Sequence, residues 1–75
     1  MQIDQTLDCK GLSCPMPIIK LSKTMKKMKT GEILEMIGTD PGSKSDVPAW
    51  CSKTGNEFIE QNNDDGAFIF YIKKG

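Results

Sequence analysis

One cysteine of this 75-residue chain stands where thiol chemistry is favoured. Cys14 is followed by Pro15, Met16 and Pro17, and then by apolar residues at helical spacing. Proline is favoured at the first helical position, where its missing N–H would have had no partner. Cys14 is therefore expected at a helix N-terminus, where unpaired N–H groups and the helix dipole favour negative charge. Because the thiolate is the reactive form, Cys14 is the candidate reactive residue, and Pro15 and Pro17 are expected to orient it.

The residues that the chain lacks narrow this chemistry. There is no histidine, which excludes a cysteine nucleophile activated by histidine. There is also no Cys-x-x-Cys pair of the thioredoxin type. What remains is a lone thiol that can accept a sulfur atom as a persulfide or exchange with a disulfide. Hydrolysis, which needs a general base, is not favoured.

The other two cysteines, Cys9 and Cys51, are expected to be structural. Cys9 continues the apolar side of a strand, and Cys51 lies on the packed face of a helix. The alternative is that one of them resolves an oxidised Cys14, which would make the protein a redox sensor. Three cysteines without a fourth ligand or the usual short spacing do not predict a zinc site. No metal or cofactor is therefore expected.

The charges are balanced overall but unevenly distributed. The net charge is +4 over residues 1–31 and −4 over residues 32–75. All ten basic residues are lysines, and the absence of arginine argues against DNA as a partner. The lysine-rich first helix is either a solvated face or a docking surface for an acidic partner, in which Lys10, Met16, Lys20 and Lys23 are the candidate contacts. A non-catalytic module that binds RNA or protein through this helix is the alternative from a different functional class.

The sequence gives no sign of export or of membrane insertion. The first residues, MQIDQTLD, are polar and acidic, unlike a signal peptide. No apolar stretch approaches the roughly 20 residues that a membrane-spanning helix needs. Free thiols then predict a reducing, cytoplasmic location.

Hydrophobic periodicity and turn residues predict one domain, residues 1–75, with the order βαβαββ. The expected strands are 2–9, 32–38, 57–61 and 67–73, and the expected helices are 15–29 and 46–54. Gly31 is predicted to follow the first helix at C′, Asp46 to be the N-cap of the second, and 62–66 to form a hairpin turn. The fold class is α+β: a two-layer α/β sandwich with a four-stranded mixed sheet and two helices on one face.

Several of these segments resemble one known family. Residues 7–17, LDCKGLSCPMP, are similar to the Asp-x-x-Gly-Leu-x-Cys-Pro-x-Pro signature of the TusA/SirA-like sulfur carriers. Residues 39–43 (TDPGS), 46–49 (DVPA), 54–57 (TGNE) and 70–74 (FYIKK) agree as well. The resemblance covers nearly the whole chain and implies the same βαβαββ sandwich.

The resemblance also implies a function. Cys14 would accept sulfane sulfur as a persulfide and pass it to a partner, framed by Gly11, Pro15 and Pro17. The expected donors are cysteine desulfurases or rhodanese-like proteins, and the acceptors serve tRNA thiolation, cofactor synthesis or sulfur oxidation. Some members handle thiosulfate with a membrane transporter. The expected protein is a monomeric carrier rather than a stand-alone turnover enzyme. Met16 stands where the best-known carriers have glutamate, which changes the surface beside the thiol.

Overall fold

The six elements follow the predicted order in the computed structural model, which describes residues 1–75. The strands are β1 (Gln5–Cys9), β2 (Ile33–Gly38), β3 (Glu57–Asp64) and β4 (Ala67–Lys73), and the helices are α1 (Met16–Lys26) and α2 (Ser43–Thr54). β1 and β2 are parallel, β4 is antiparallel to both β2 and β3, and the sheet order is β1-β2-β4-β3. The predicted mixed sheet with two covering helices is confirmed.

Alternation along the two central strands places the core on one face of the sheet. Leu34 and Met36 of β2 and Phe70 and Ile72 of β4 are fully buried, whereas the residues between them are partly exposed. The helices and β1 complete this core with Cys9, Leu21, Met25, Met28, Val47 and Cys51. Each large apolar side chain buried in this way contributes about 1.5–3 kcal/mol to folding. A core this small leaves little free energy to spare.

The opposite face of the sheet carries polar side chains. The Tyr71 hydroxyl donates to Glu35 Oε2 at 3.0 Å, and the Thr6 hydroxyl donates to Glu35 Oε1 at 3.3 Å. The hydrogen bond to Glu35 raises the pKa of Tyr71. Asp8 and Glu60 are exposed on the same face, which is therefore acidic.

The first helix is shorter than the predicted span 15–29. It ends at Lys26, with Lys27 as the C-cap in a right-handed conformation, so the placement of Gly31 at C′ was wrong. Gly31 instead has φ +92° in the turn before β2. Met28 is nevertheless buried, because the turn after the helix keeps its side chain against the core.

The second helix begins three residues earlier than predicted. It starts at Ser43 with Gly42 at the N-cap, so Asp46 is a first-turn residue and its assignment as the N-cap was wrong. The Ser43 amide donates to the Asp40 carbonyl at 3.0 Å, which starts the helical turn before Asp46 is reached. A carboxylate in the first turn still interacts favourably with the helix dipole.

The strand boundaries also differ from the prediction. β1 starts at Gln5 rather than at residue 2, although the Asp4 amide already donates to the Ile33 carbonyl. β3 continues to Asp64, so the predicted turn 62–66 contracts to Asp65-Gly66. Both turn residues have positive φ, 48° and 84°, as a two-residue type I′ hairpin requires.

A lysine that follows the last strand binds backbone carbonyls at the C-terminal end of α1. Lys74 Nζ donates to the carbonyls of Met25 and Met28 at 2.8 and 2.7 Å. The Met25 carbonyl also accepts the Met28 amide at 3.1 Å. A cation near the last carbonyls of a helix complements the helix dipole. The backbone of Lys74 exchanges hydrogen bonds with Gly31 and Glu32, which fixes the position of the side chain.

We expect Lys74→Met to lower the free energy of unfolding by about 1–2 kcal/mol, because it removes two charge-assisted hydrogen bonds and keeps most of the aliphatic stem. Lys73→Met is the matched control, since Lys73 is exposed and has no such contacts. Urea denaturation of both variants measures the difference. Equal stability of the two variants would contradict the role given to Lys74.

Candidate functional site

The parallel pairing of β1 and β2 brings two loops together at one edge of the sheet. Cys9 and Gly38 are partners at the carboxyl ends of these strands. Residues 10–15 leave one strand and residues 39–42 leave the other, so both loops start side by side. The first, which contains Cys14 and which we call the reactive loop, leads into α1, and the second leads into α2.

Local hydrogen bonds shape the reactive loop. Gly11 has φ +80°, a conformation that residues with a side chain rarely adopt, which explains the glycine. The Leu12 amide donates to the Cys9 carbonyl at 3.2 Å, and the Met16 amide donates to the Ser13 carbonyl at 3.0 Å. Cys14 lies within the second of these turns and is exposed to solvent.

Two side chains of the neighbouring loop hold the reactive loop in place. The Gly11 amide donates to Thr39 Oγ1 at 2.9 Å. The Cys14 amide donates to Asp40 Oδ2 at 3.0 Å. Thr39 and Asp40, which are adjacent in sequence, therefore bind the reactive loop at two positions that are three residues apart.

Pro15 and Pro17 each lie one helix position earlier than predicted, because the helix begins at Met16 and not at Pro15. Met16 is the first helical residue, Pro15 is the N-cap and Pro17 is buried in the first turn. The Cys14–Pro15 peptide bond is cis. Cys14 thus precedes the helix by two residues, and Pro15 and Pro17 restrict the backbone directly after it.

The sequence predicts several unpaired backbone N–H groups at the N-terminus of α1, near Cys14, but the structure leaves only one. The Met16 amide donates to Ser13 and the Ile19 amide donates to the Pro15 carbonyl, whereas Pro17 has no N–H. Of the first-turn amides, only that of Ile18 lacks a backbone partner. Pro17 thus removes a donor that could have stabilised an anion beside the thiol.

An open cleft lies beside the thiol. Its volume is about 320 Å³, and it is bounded by the start of α1 on one side and by α2 on the other. The lining residues are Cys14, Pro15, Ile18, Asp46, Ala49, Trp50 and Lys53. Trp50, which sequence patterning would place in the core, is only partly buried because it forms part of this cleft. Cys14 therefore opens onto a shallow concave surface that a partner can enter.

The other two thiols are in a different environment. Cys9 is fully buried, and burial raises its pKa, an effect that the charge of Lys20 opposes. Burial raises the pKa of the Cys51 thiol to about 11. All three cysteines are free. To resolve an oxidised Cys14, the sulfur of Cys9 or Cys51 would have to leave the core. The burial of these two thiols therefore favours a structural role for both.

The predicted docking residues lie on the reactive loop and on α1. Lys10 follows β1, and Lys20 and Lys23 lie on α1; all three are exposed. Met16 is 45% exposed and Ile19, one turn later, is 39% exposed. Ile19 was missed in the sequence, although its place outside the buried stripe of α1 could have identified it. Together Met16 and Ile19 form an apolar spot among lysines.

Other site residues were also missed. Thr39 and Asp40 were not among the predicted site residues, because nothing local indicates that their side chains reach 26–28 residues back along the chain. Asp46 and Lys53 lie seven residues apart on α2, a spacing that places them on one helix face and could have signalled a shared surface. No group of three or more His, Cys, Asp or Glu side chains is arranged to hold a metal ion.

We expect iodoacetamide near neutral pH to modify the native protein once, at Cys14, because the other two thiols are buried and their pKa values are raised by burial. Intact mass spectrometry should count one adduct in buffer and three in denaturant. Cys14→Ser should remain unmodified over the same interval. A second native adduct forming at a comparable rate would contradict the assignment of Cys9 and Cys51 to the core.

Comparisons with known proteins find relatives described as sulfur carriers. A "Sulfur carrier protein TusA" of Allochromatium vinosum is 48% identical over 71 residues, covering 95% of this chain and 93% of that protein. A protein of the same name from Pseudomonas putida is 37% identical over 71 residues, covering 95% and 89%. A longer relative from Aquifex aeolicus is 46% identical over 71 residues, but this match spans only 36% of that protein.

A solved structure and a family model complete the comparison. The crystal structure of a SirA-like protein from Desulfitobacterium hafniense has the same fold, with a TM-score of 0.75 at 23% identity and coverage of 95% of this chain and 97% of that one. The family model described as "Sulfurtransferase TusA" matches residues 5–74, which include the reactive loop, both helices and the whole sheet. The chain belongs to the TusA family.

Proposed function

We propose that this protein is a sulfur carrier that holds sulfane sulfur as a persulfide on Cys14 and passes it to a partner protein. The observation that carries the proposal is the placement of the one exposed thiol beside an open cleft in a chain of the TusA family. A shallow cleft suits exchange between proteins, because the incoming sulfur comes from one macromolecule and the outgoing sulfur goes to another.

The chemistry is a sulfur exchange without net oxidation. The Cys14 thiolate attacks the outer sulfur of a donor persulfide, R–S–SH. A bond forms between Cys14 Sγ and that sulfur, the donor S–S bond breaks, and R–S⁻ leaves with the bonding electron pair. Cys14 then carries S–SH, and the same steps in reverse, with an acceptor thiolate as the nucleophile, release the sulfur. No general base is required once the thiolate has formed.

Donor and acceptor proteins are expected to dock on the surface around the thiol. Exposed Lys10, Lys20 and Lys23 attract an acidic partner, and the apolar spot of Met16 and Ile19 supplies contact area beside the cleft. Cysteine desulfurases and rhodanese-like proteins are the donor classes that fit a thiolate acceptor. Neither helix has the length and apolar character needed to cross a membrane. Cytoplasmic location and a monomeric state stay predictions.

The alternative functions have less support from the site. A redox sensor would need Cys9 or Cys51 to leave the core. An RNA-binding module would need exposed aromatic side chains for base stacking. Phe70 lies within the core, Phe58, Phe68 and Trp50 pack against it, and the Tyr71 hydroxyl is bonded to Glu35 on the acidic face. No contact singles out thiosulfate or a transporter, so neither is proposed.

Incubation with a cysteine desulfurase and L-cysteine should add one sulfur atom to the protein, and brief reduction should remove it. Intact mass spectrometry detects the adduct, and peptide mapping should place it on Cys14. Cys14→Ser should take up none, because the attacking thiolate is lost. The double variant Cys9→Ala/Cys51→Ala is the control and should still load. Loading of Cys14→Ser to the wild-type level would refute the proposed function.

We expect Lys20→Glu and Lys23→Glu each to slow transfer from a donor protein about threefold to tenfold at low salt, since a reversed charge at the rim of an interface reduces the association rate. The difference from wild type should shrink as added salt screens the charges. Lys73→Glu makes the same charge change on the opposite face of the sheet and should transfer at the wild-type rate. A salt-independent defect, or an equal defect in Lys73→Glu, would argue against docking on α1.

A further inference from the structure

The backbone on the two sides of Cys14 is restrained by different means. On the C-terminal side, Pro15 and Pro17 restrict the chain covalently. On the N-terminal side the loop is exposed and contains Gly11, so no covalent restraint replaces the prolines. Leu12 packs against the core on that side, and the long-range hydrogen bonds there run from the Gly11 and Cys14 amides to Thr39 and Asp40.

Asp40 uses both carboxylate oxygens in different places. Oδ2 accepts the Cys14 amide at 3.0 Å, and Oδ1 accepts the Gly42 amide at 3.1 Å. Gly42 is the N-cap of α2. A carboxylate can accept at two oxygens, whereas an asparagine side chain can accept at only one. A single side chain therefore connects the reactive loop to the start of the helix that forms the far wall of the cleft.

We propose that Asp40 and Thr39 are positioning residues for sulfur transfer: they hold the Cys14 and Gly11 amides and so aim the Cys14 sulfur at the cleft. The inference rests on the proposed function. Attack on a sulfane sulfur requires the nucleophile to approach in line with the bond that breaks, and a misplacement of about 1 Å can cost about a hundredfold in rate. Anchoring the Cys14 amide fixes the backbone from which the thiol extends. Thr39 restrains the loop at Gly11, three residues before Cys14, and is therefore expected to affect the transfer rate less than Asp40 does.

The test measures sulfur loading by a persulfide donor in Asp40→Ala, Thr39→Val and Thr39→Ser. Ser45→Ala is the matched control: it removes the hydrogen bond from the Ser45 hydroxyl to the Gly42 carbonyl in the same first turn of α2, but it does not touch the reactive loop. Rates are taken well below each melting temperature and expressed per folded molecule. Amide hydrogen exchange, followed by NMR at Gly11 and Cys14, reports directly on the two contacts.

We expect Asp40→Ala to reduce the maximal loading rate about tenfold, with little change in the donor concentration that gives half the maximal rate. Thr39→Val should reduce it about threefold, and Thr39→Ser, which keeps the hydroxyl, should restore it. Exchange should accelerate at Cys14 in Asp40→Ala and at Gly11 in Thr39→Val. Ser45→Ala should change neither the rate nor the exchange at these two amides.

Two results would overturn the positioning role. One is an Asp40→Ala rate within twofold of wild type, even with a lowered melting temperature, because the contact would then serve stability alone. The other is Thr39→Ser as slow as Thr39→Val. A wild-type chain that takes up no sulfur would instead refute the proposed function itself, so the two failures are distinguishable.

Discussion

The site depends on the parallel register of β1 and β2. Because Cys9 is opposite Gly38, the chain leaves both strands at the same edge and at the same height. The loop with Cys14 and the loop with Asp40 are therefore neighbours although 26 residues separate them in sequence. An antiparallel pair would have placed the two exits at opposite ends of the sheet. The placement of the thiol thus follows from the pairing of two strands.

The thiol is held where three different kinds of restraint meet. The two prolines act by covalent geometry, Gly11 acts by permitting a left-handed backbone conformation, and Asp40 acts by an ionic hydrogen bond. None of these needs a deep core, which a domain of 75 residues cannot build. A short exposed loop can therefore be well defined in a small protein, provided that its backbone amides have partners of fixed position.

The sequence was sufficient for the order of the elements and singled out Cys14 as the candidate reactive residue, because both depend on local patterns. The short apolar segment EILEMIG predicted a central strand, the turn residues before AFIFYIK predicted a hairpin, and the proline pair after Cys14 predicted the helix start. The helix boundaries were less accurate: the stripe that ends at Met28 continues past the end of α1, and the backbone of Asp40 starts α2 before Asp46. Periodicity reports which side chains are buried, not where helical hydrogen bonds stop.

The contacts across the site could not be predicted in the same way. The bond between Cys14 and Asp40 joins two loops whose relative position is set by strand register, and no local pattern encodes it. The cleft has the same origin, since its walls belong to two helices that meet only in the folded chain. Trp50 illustrates the limit: a large aromatic residue in an amphipathic helix is expected in the core, and its partial exposure becomes understandable only once the gap beside Cys14 is seen.

The separation of charge between the two faces has a consequence for encounters in solution. Lysines cover α1, whereas Asp8, Glu35 and Glu60 lie on the uncovered side of the sheet, and the net charge is zero. Such a molecule has almost no monopole but a sizeable electric dipole moment. The field of a charged partner therefore exerts a torque on it rather than a net pull at long range. Electrostatics would thus speed productive association chiefly by presenting α1 to an acidic partner, rather than by making encounters more frequent.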